Sequence, residues 1–191
     1  TSNNTAVGYN SLGANTTGTP NTAVGANALQ SNTTGGLNTA LGKGALQNAT
    51  TASTNTAIGH AALLSNVTGE SNTAVGSSCL TGNTASNNTA VGRDALNANT
   101  SGTRNTAVGA FTLDVNTTAN DSQAFGYLAL SANTTGGSNS AFGSSALGTN
   151  TTGASNCAFG TGSLASNSTA SNNTAFGTSA LNQNSTGADN V

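Results

Sequence analysis

Charge is the first thing this sequence lacks. Three Lys or Arg and five Asp or Glu make up 4% of its 191 residues, where about 25% is usual for a soluble domain. With three cations and a net charge of -2, the chain has no basic footprint to match a phosphate backbone, which excludes nucleic acid as a partner. Aromatic residues are also 4%, Met and Trp are absent, and there is one Pro. The longest apolar runs are a few residues, so no segment forms a membrane-inserted helix. Disorder is the usual consequence of low hydrophobicity, but it normally comes with high net charge or irregular patterning. Neither holds here. No leader is visible and the first residue is Thr1, not Met, so a processed product or a piece of a longer chain is expected.

The two cysteines, Cys79 and Cys157, fall in coils five repeats apart. At strand spacing that separates them by roughly 24 Å, beyond the reach of an intrachain disulfide. They read as small buried residues.

What the sequence has is repetition. The motif Asn21-Thr22-Ala23-Val24-Gly25 recurs with small changes, its Gly falling at Gly8, Gly25, Gly42, Gly59, Gly76, Gly92, Gly109, Gly126, Gly143, Gly160 and Gly177. Nine of the ten intervals are 17 residues; Gly76 to Gly92 is 16. A period this short and strict predicts an all-β fold, a β-solenoid (β-roll) of eleven 16–17-residue coils with stacked parallel strands, forming one array over residues 1–191.

Alignment on that Gly defines columns. Ala always stands two before it. Immediately before it come Val7, Val24, Leu41, Ile58, Val75, Val91 and Val108, then Phe125, Phe142, Phe159 and Phe176. Leu always stands four after it, from Leu12, Leu29, Leu46 and Leu63 to Leu181. A polar Asn-Thr-Thr-Gly corner follows. Thr, Val, Ile and Phe favour strands, and Gly and Asn punctuate turns. Each coil is therefore expected to carry two short strands, T-A-V and A-L, stacked into continuous parallel sheets. The Gly column marks a tight turn or a close backbone approach.

Side chains alternate across a strand. Ala23 and Val24 then face opposite ways, as do Ala28 and Leu29, although all four are apolar. One face of each pair fills the coil; the other needs a cover, which predicts a homotrimer. The absence of polar caps predicts either an excerpt of a longer fibre or copies stacked end to end as a filament. Asn seven after the Gly, in ten of eleven coils with Ala49 the exception, suits stacked amides bonding from coil to coil.

Chemistry is sparse. Catalysis needs converging acid, base or nucleophile groups, and His60, Glu70, Asp94, Asp114, Asp121 and Asp189 are scattered over columns and coils. No enzyme activity, metal site or cofactor is expected. The column after the Gly runs Tyr9, Ala26, Lys43, His60, Ser77, Arg93, Ala110, Tyr127, Ser144, Thr161, Thr178; its variety marks a solvent-facing row. Phe111 and Leu128 in the next column suggest a local surface patch. The corners contain N-x-S/T sequons at Asn15, Asn32, Asn66, Asn116, Asn133 and Asn150, candidate glycan attachment points. Their adjacent Thr residues are a candidate for ordering ice-like water.

The array resembles a known family of repeats. Thr5-Ala6-Val7-Gly8-Tyr9 followed by Ser11-Leu12 is similar to the N-T-A-V-G-Y-x-A-L arrays of phage tail fibres and related bacterial surface proteins. It also resembles the shorter S-V-A-I-G units in the heads of trimeric autotransporter adhesins. The resemblance spans the whole chain. It implies a trimeric β-roll fibre outside a cell or on a virion, spacing or presenting a tip that binds a cell-surface glycan or receptor. The 17-residue coil differs from the adhesin unit by its longer N-T-T-G corner.

Overall fold

A computed structural model describes residues 3–191. It is a β-solenoid: eleven strands in one parallel sheet, in strict sequence order. The strands are β1 (Thr5–Val7), β2 (Asn21–Val24), β3 (Asn38–Leu41), β4 (Thr56–Ile58), β5 (Thr73–Val75), β6 (Thr89–Val91), β7 (Thr106–Val108), β8 (Gln123–Phe125), β9 (Ser140–Phe142), β10 (Cys157–Phe159) and β11 (Thr174–Phe176). Each residue pairs with its own column in the next coil, as in Thr22 with Thr39, Ala23 with Ala40 and Val24 with Leu41. At about 4.8 Å per strand the sheet is roughly 48 Å long.

The T-A-V segments form the expected strands, and the side-chain alternation within them holds. The Ala column points inward and is fully buried from Ala23 to Ala158, while the residues on either side of it are half-buried or exposed.

The A-L segments do not form a second sheet. Each Leu sits in the left-handed region, with φ between +49° and +52° from Leu12 to Leu181. Alternation therefore fails there: Ala28 and Leu29 are both completely buried. A left-handed backbone costs a non-glycine residue about 1–2 kcal/mol. Burying a Leu contributes about 1.5–3 kcal/mol, so the side chain outweighs the strain. These corners still bond from coil to coil, Leu29 N donating to Ala45 O at 3.0 Å and Ser31 N to Gln47 O at 3.0 Å.

The Gly column has φ between +126° and +140°, a region that L side chains rarely adopt. A Cβ on Gly109 would lie 2.6 Å from Gly126 O. The column thus answers both needs anticipated for it, a turn and a backbone approach.

The short coil keeps register. Thr73 pairs with Thr89, sixteen residues on instead of seventeen. The missing residue is taken out of the corner: Asn83 Nδ2 reaches Ala85 O, two residues ahead, at 2.8 Å, where Asn66 reaches Gly69 O, three ahead, at 2.8 Å.

Candidate interaction surface

The Asn column seven after the Gly is an interior amide ladder. Asn99 Nδ2 donates to Asn83 Oδ1 at 2.7 Å, Asn116 to Asn99 at 2.8 Å, Asn133 to Asn116 at 3.2 Å and Asn150 to Asn133 at 2.9 Å. Each amide also closes its own corner, as Asn133 Nδ2 does on Gly136 O at 3.0 Å. At Ala49 the ladder breaks, and Asn32 Oδ1 is left buried without a hydrogen-bond partner among the described residues.

Most of the sequon asparagines belong to this interior ladder. Asn32, Asn66, Asn116, Asn133 and Asn150 are fully buried, with Nδ2 committed to neighbours. The folded roll has no room for a sugar on any of them. Asn15, in the first coil, is half-buried, with Nδ2 on Gly18 O at 3.1 Å. The sequons are a by-product of a ladder that needs Asn and a corner that needs Thr.

Of the adjacent corner threonines, the first is structural. Thr16, Thr33, Thr100, Thr117, Thr134 and Thr151 each donate their hydroxyl to a carbonyl of the next coil, at 2.8–3.1 Å. A row of paired hydroxyls is poorly suited to ordering water.

A second Asn column, at the start of each strand, was hidden in the sequence inside the repeated motif. Its Oδ1 accepts the backbone N–H of the same residue one coil on, Asn38 N to Asn21 Oδ1 at 3.0 Å and Asn55 N to Asn38 Oδ1 at 3.0 Å. Its Nδ2 donates across the coil to the corner, Asn38 to Ala52 O at 2.8 Å and Asn139 to Gly153 O at 2.7 Å. Ser122 takes the place of Asn in one coil and its Oγ accepts from Asn139 N at 3.3 Å.

Two surfaces remain outside these ladders. One is the outer face of the sheet, made of two parallel rows. The row before the Gly is apolar throughout, with Val7, Leu41, Val91 and Phe176 exposed and the others half-buried. Its four Phe rings stack, with centroids 4.7 Å apart for Phe125–Phe142, 4.5 Å for Phe142–Phe159 and 5.7 Å for Phe159–Phe176. The other row is Thr from β1 to β7, then Gln123, Ser140, Cys157 and Thr174. Both rows change character at β8.

The other surface is the column after the Gly. Tyr9, Lys43, His60, Ser77, Arg93, Tyr127, Thr161 and Thr178 are exposed, and Ala26, Ala110 and Ser144 are half-buried. It holds Lys43 and Arg93, two of the three cations, and Arg93 Nε lies 3.0 Å from Asp94 Oδ2 in the next column. Nearby, burial and the Asp94 carboxylate raise the Asp114 carboxyl above the ordinary range. The Arg104 guanidinium, paired with Asp121 at 2.6 Å, holds that carboxyl below it.

Cys79 is buried, donates to Ala90 O at 3.2 Å, and burial pushes its thiol up to about 12. Cys157 is half-buried on the outer face. Both thiols are free.

Comparison with protein-family models, curated proteins and solved structures finds no match for this chain.

Proposed function

We propose that the chain is a non-enzymatic fibre segment, the shaft or adhesive head of an extracellular or viral appendage such as a tail fibre or surface adhesin, assembled as a homotrimer. The observation that carries this reading is the outer sheet face. A row of Val, Leu, Ile and Phe runs along one side of a rod roughly 48 Å long, with no layer of this chain over it. A contiguous apolar row that is half-buried to exposed along its whole length supports an interaction site. Its one-column regularity from coil to coil fits the same row on another copy. The stacked Phe125, Phe142, Phe159 and Phe176 rings give the contact an aromatic anchor, the residue type that dominates interface energetics. The repeat resemblance supports the same assignment.

Native mass measurement tests it. The expected species is a trimer, and Phe142→Ser, which removes a ring from the middle of the stack without touching the coil interior, is expected to shift it toward monomer. A wild-type chain that stays a dispersed monomer overturns the assembly. Electron microscopy separates discrete rods from endless filaments; the latter would favour a self-stacking extracellular filament instead.

One observation favours a second reading, ice binding by the same face. The hydroxyls of Thr22, Thr39, Thr56, Thr73, Thr89 and Thr106 have no hydrogen-bond partner among the described residues. They sit in an uncharged row, each paired with the next in register, beside aliphatic side chains. Thermal hysteresis that disappears in Thr73→Tyr would establish this use, and none would leave the face to other copies.

A further inference from the structure

One place on the roll departs from its monotony. In coils six to eight the two columns after the Gly hold Arg93-Asp94, Ala110-Phe111 and Tyr127-Leu128. Elsewhere they hold small pairs such as Ala26-Asn27, Ser77-Ser78 and Thr161-Gly162, or one larger residue beside a small one, as in Tyr9-Asn10, Lys43-Gly44 and His60-Ala61. The Arg93 guanidinium lies 5.1 Å from the centroid of the Phe111 ring while its Nε bonds Asp94. Phe111 meets Tyr127 edge to face, with centroids 6.2 Å apart and planes at 81°. Asn97 Nδ2 reaches Asp94 Oδ1 at 3.5 Å. Asp114 Oδ1 is shielded from solvent and has no hydrogen-bond partner among the described residues.

The fold does not explain this cluster. Phe111 has φ +55°, a conformation that is an outlier for a bulky side chain. At the Leu column the same strain is offset by complete burial inside the coil. Phe111 is only half-buried and lies on the surface, so no comparable burial offsets it. The column is left-handed in every coil; Asn27, Ala61, Ser78 and Ser145 are small or polar there, while Phe111 and its neighbour Leu128 put bulky side chains on the same backbone. Strain without structural return is a feature of binding surfaces.

The chemistry selects the ligand. Tyr127, 54% exposed, offers an apolar ring with a polar tip, a platform for the C–H face of a sugar. Arg93 presents planar donors, and the Asp94 carboxylate and Asp114 Oδ2, the oxygen of that carboxylate that is not shielded, present acceptors, matched to neighbouring hydroxyls on a ring edge. One cation against two carboxylates disfavours an anionic ligand. We propose that Arg93, Asp94, Asn97, Phe111, Asp114 and Tyr127 form a shallow subsite for a neutral pyranose of a surface glycan. The proposal rests on the adhesive reading above and names what that fibre would adhere to. Three copies on one fibre would turn a weak single-site affinity into useful avidity.

Saturation-transfer NMR on the intact chain tests it, with the methyl glycosides of glucose, galactose, mannose and N-acetylglucosamine as probes. At least one is expected to receive saturation. Tyr127→Ala and Asp114→Asn are each expected to weaken it about tenfold or more, on the scale of a lost interface anchor. Tyr127 is exposed and Asp114 half-buried, and an unchanged circular dichroism melt establishes that the roll is intact. Transfer to none of the four probes, or transfer unaltered in Tyr127→Ala, overturns the subsite. The outcome is separable from assembly: a trimer that binds no sugar sinks only the subsite, and a monomer that binds one sinks only the trimer.

Discussion

Gly109→Ala is expected to break the roll between its seventh and eighth coils. Two penalties coincide at this residue. Its φ of +136° is a conformation an L residue rarely adopts, and the added Cβ would sit 2.6 Å from Gly126 O and 2.7 Å from Gly126 C. The obstructing atoms are backbone, so no rotamer change relieves the contact. The only remedy is to separate two coils whose hydrogen bonds run along their whole circumference. The loss is expected to be on the order of 4 kcal/mol or more, in the range reserved for severe single changes. Gly177→Ala is the internal control. Its φ is +126° but nothing lies within 4 Å of the added Cβ, so it carries the conformational penalty alone, about 1–3 kcal/mol. Urea unfolding followed by circular dichroism checks both. Equal midpoints for the two variants would show that backbone approach contributes nothing.

The amide ladder makes the second large prediction, with opposite signs at two places. Asn133→Ala removes a donor to Asn116 Oδ1 and to Gly136 O and an acceptor for Asn150 Nδ2. It leaves unpaired groups in a buried row. At about 1–3 kcal/mol for each buried orphan, a loss of roughly 2–5 kcal/mol is expected. Ala49→Asn should do the reverse. It restores the missing rung, giving Asn32 Oδ1 the donor it lacks and Asn66 Nδ2 an acceptor. A gain of about 1–3 kcal/mol is expected from satisfying one buried group. Ala52 does not stand in the way, because Asn116 and Ala119 occupy the same pair of positions, with Asn116 Nδ2 3.3 Å from Ala119 O. Thermal unfolding of the two variants beside the wild type is the measurement; an Ala49→Asn variant less stable than its parent would refute the ladder as a source of stability.

The periodic part of this architecture was open to sequence reasoning because strand pairing is in register. When residue i sits on residue i+17, identity at one period is direct evidence of contact, and the Gly, Ala and Asn columns could be read that way. The second apolar segment could not. A-L looks like a strand because both residues are apolar, but Leu29 turns left-handed, and no propensity scale favours a Leu there. Only the closure of the coil decides it. The burial of the sequons was hidden for a related reason: Asn32 and Thr34 fit an attachment signal, while burial depends on which way the corner folds. The subsite was half visible. Phe111 and Leu128 stood out as a departure from their column and Tyr127 as one of a variable, solvent-facing row, but the orientation of Arg93 over Phe111 and the orphaned oxygen of Asp114 exist only in three dimensions.

The single ordered sheet also has a mechanical consequence. Because consecutive coils are consecutive in the chain, a pull on the two ends along the axis loads the coil-to-coil bonds one coil at a time. Each 17-residue coil occupies about 4.8 Å of length when stacked and roughly 56–61 Å when drawn out. A coil peeled from either end therefore lengthens the tether about twelvefold while the remaining coils stay intact. Such a rod would give ground in small steps under tension and rewind against the template of the coil beneath.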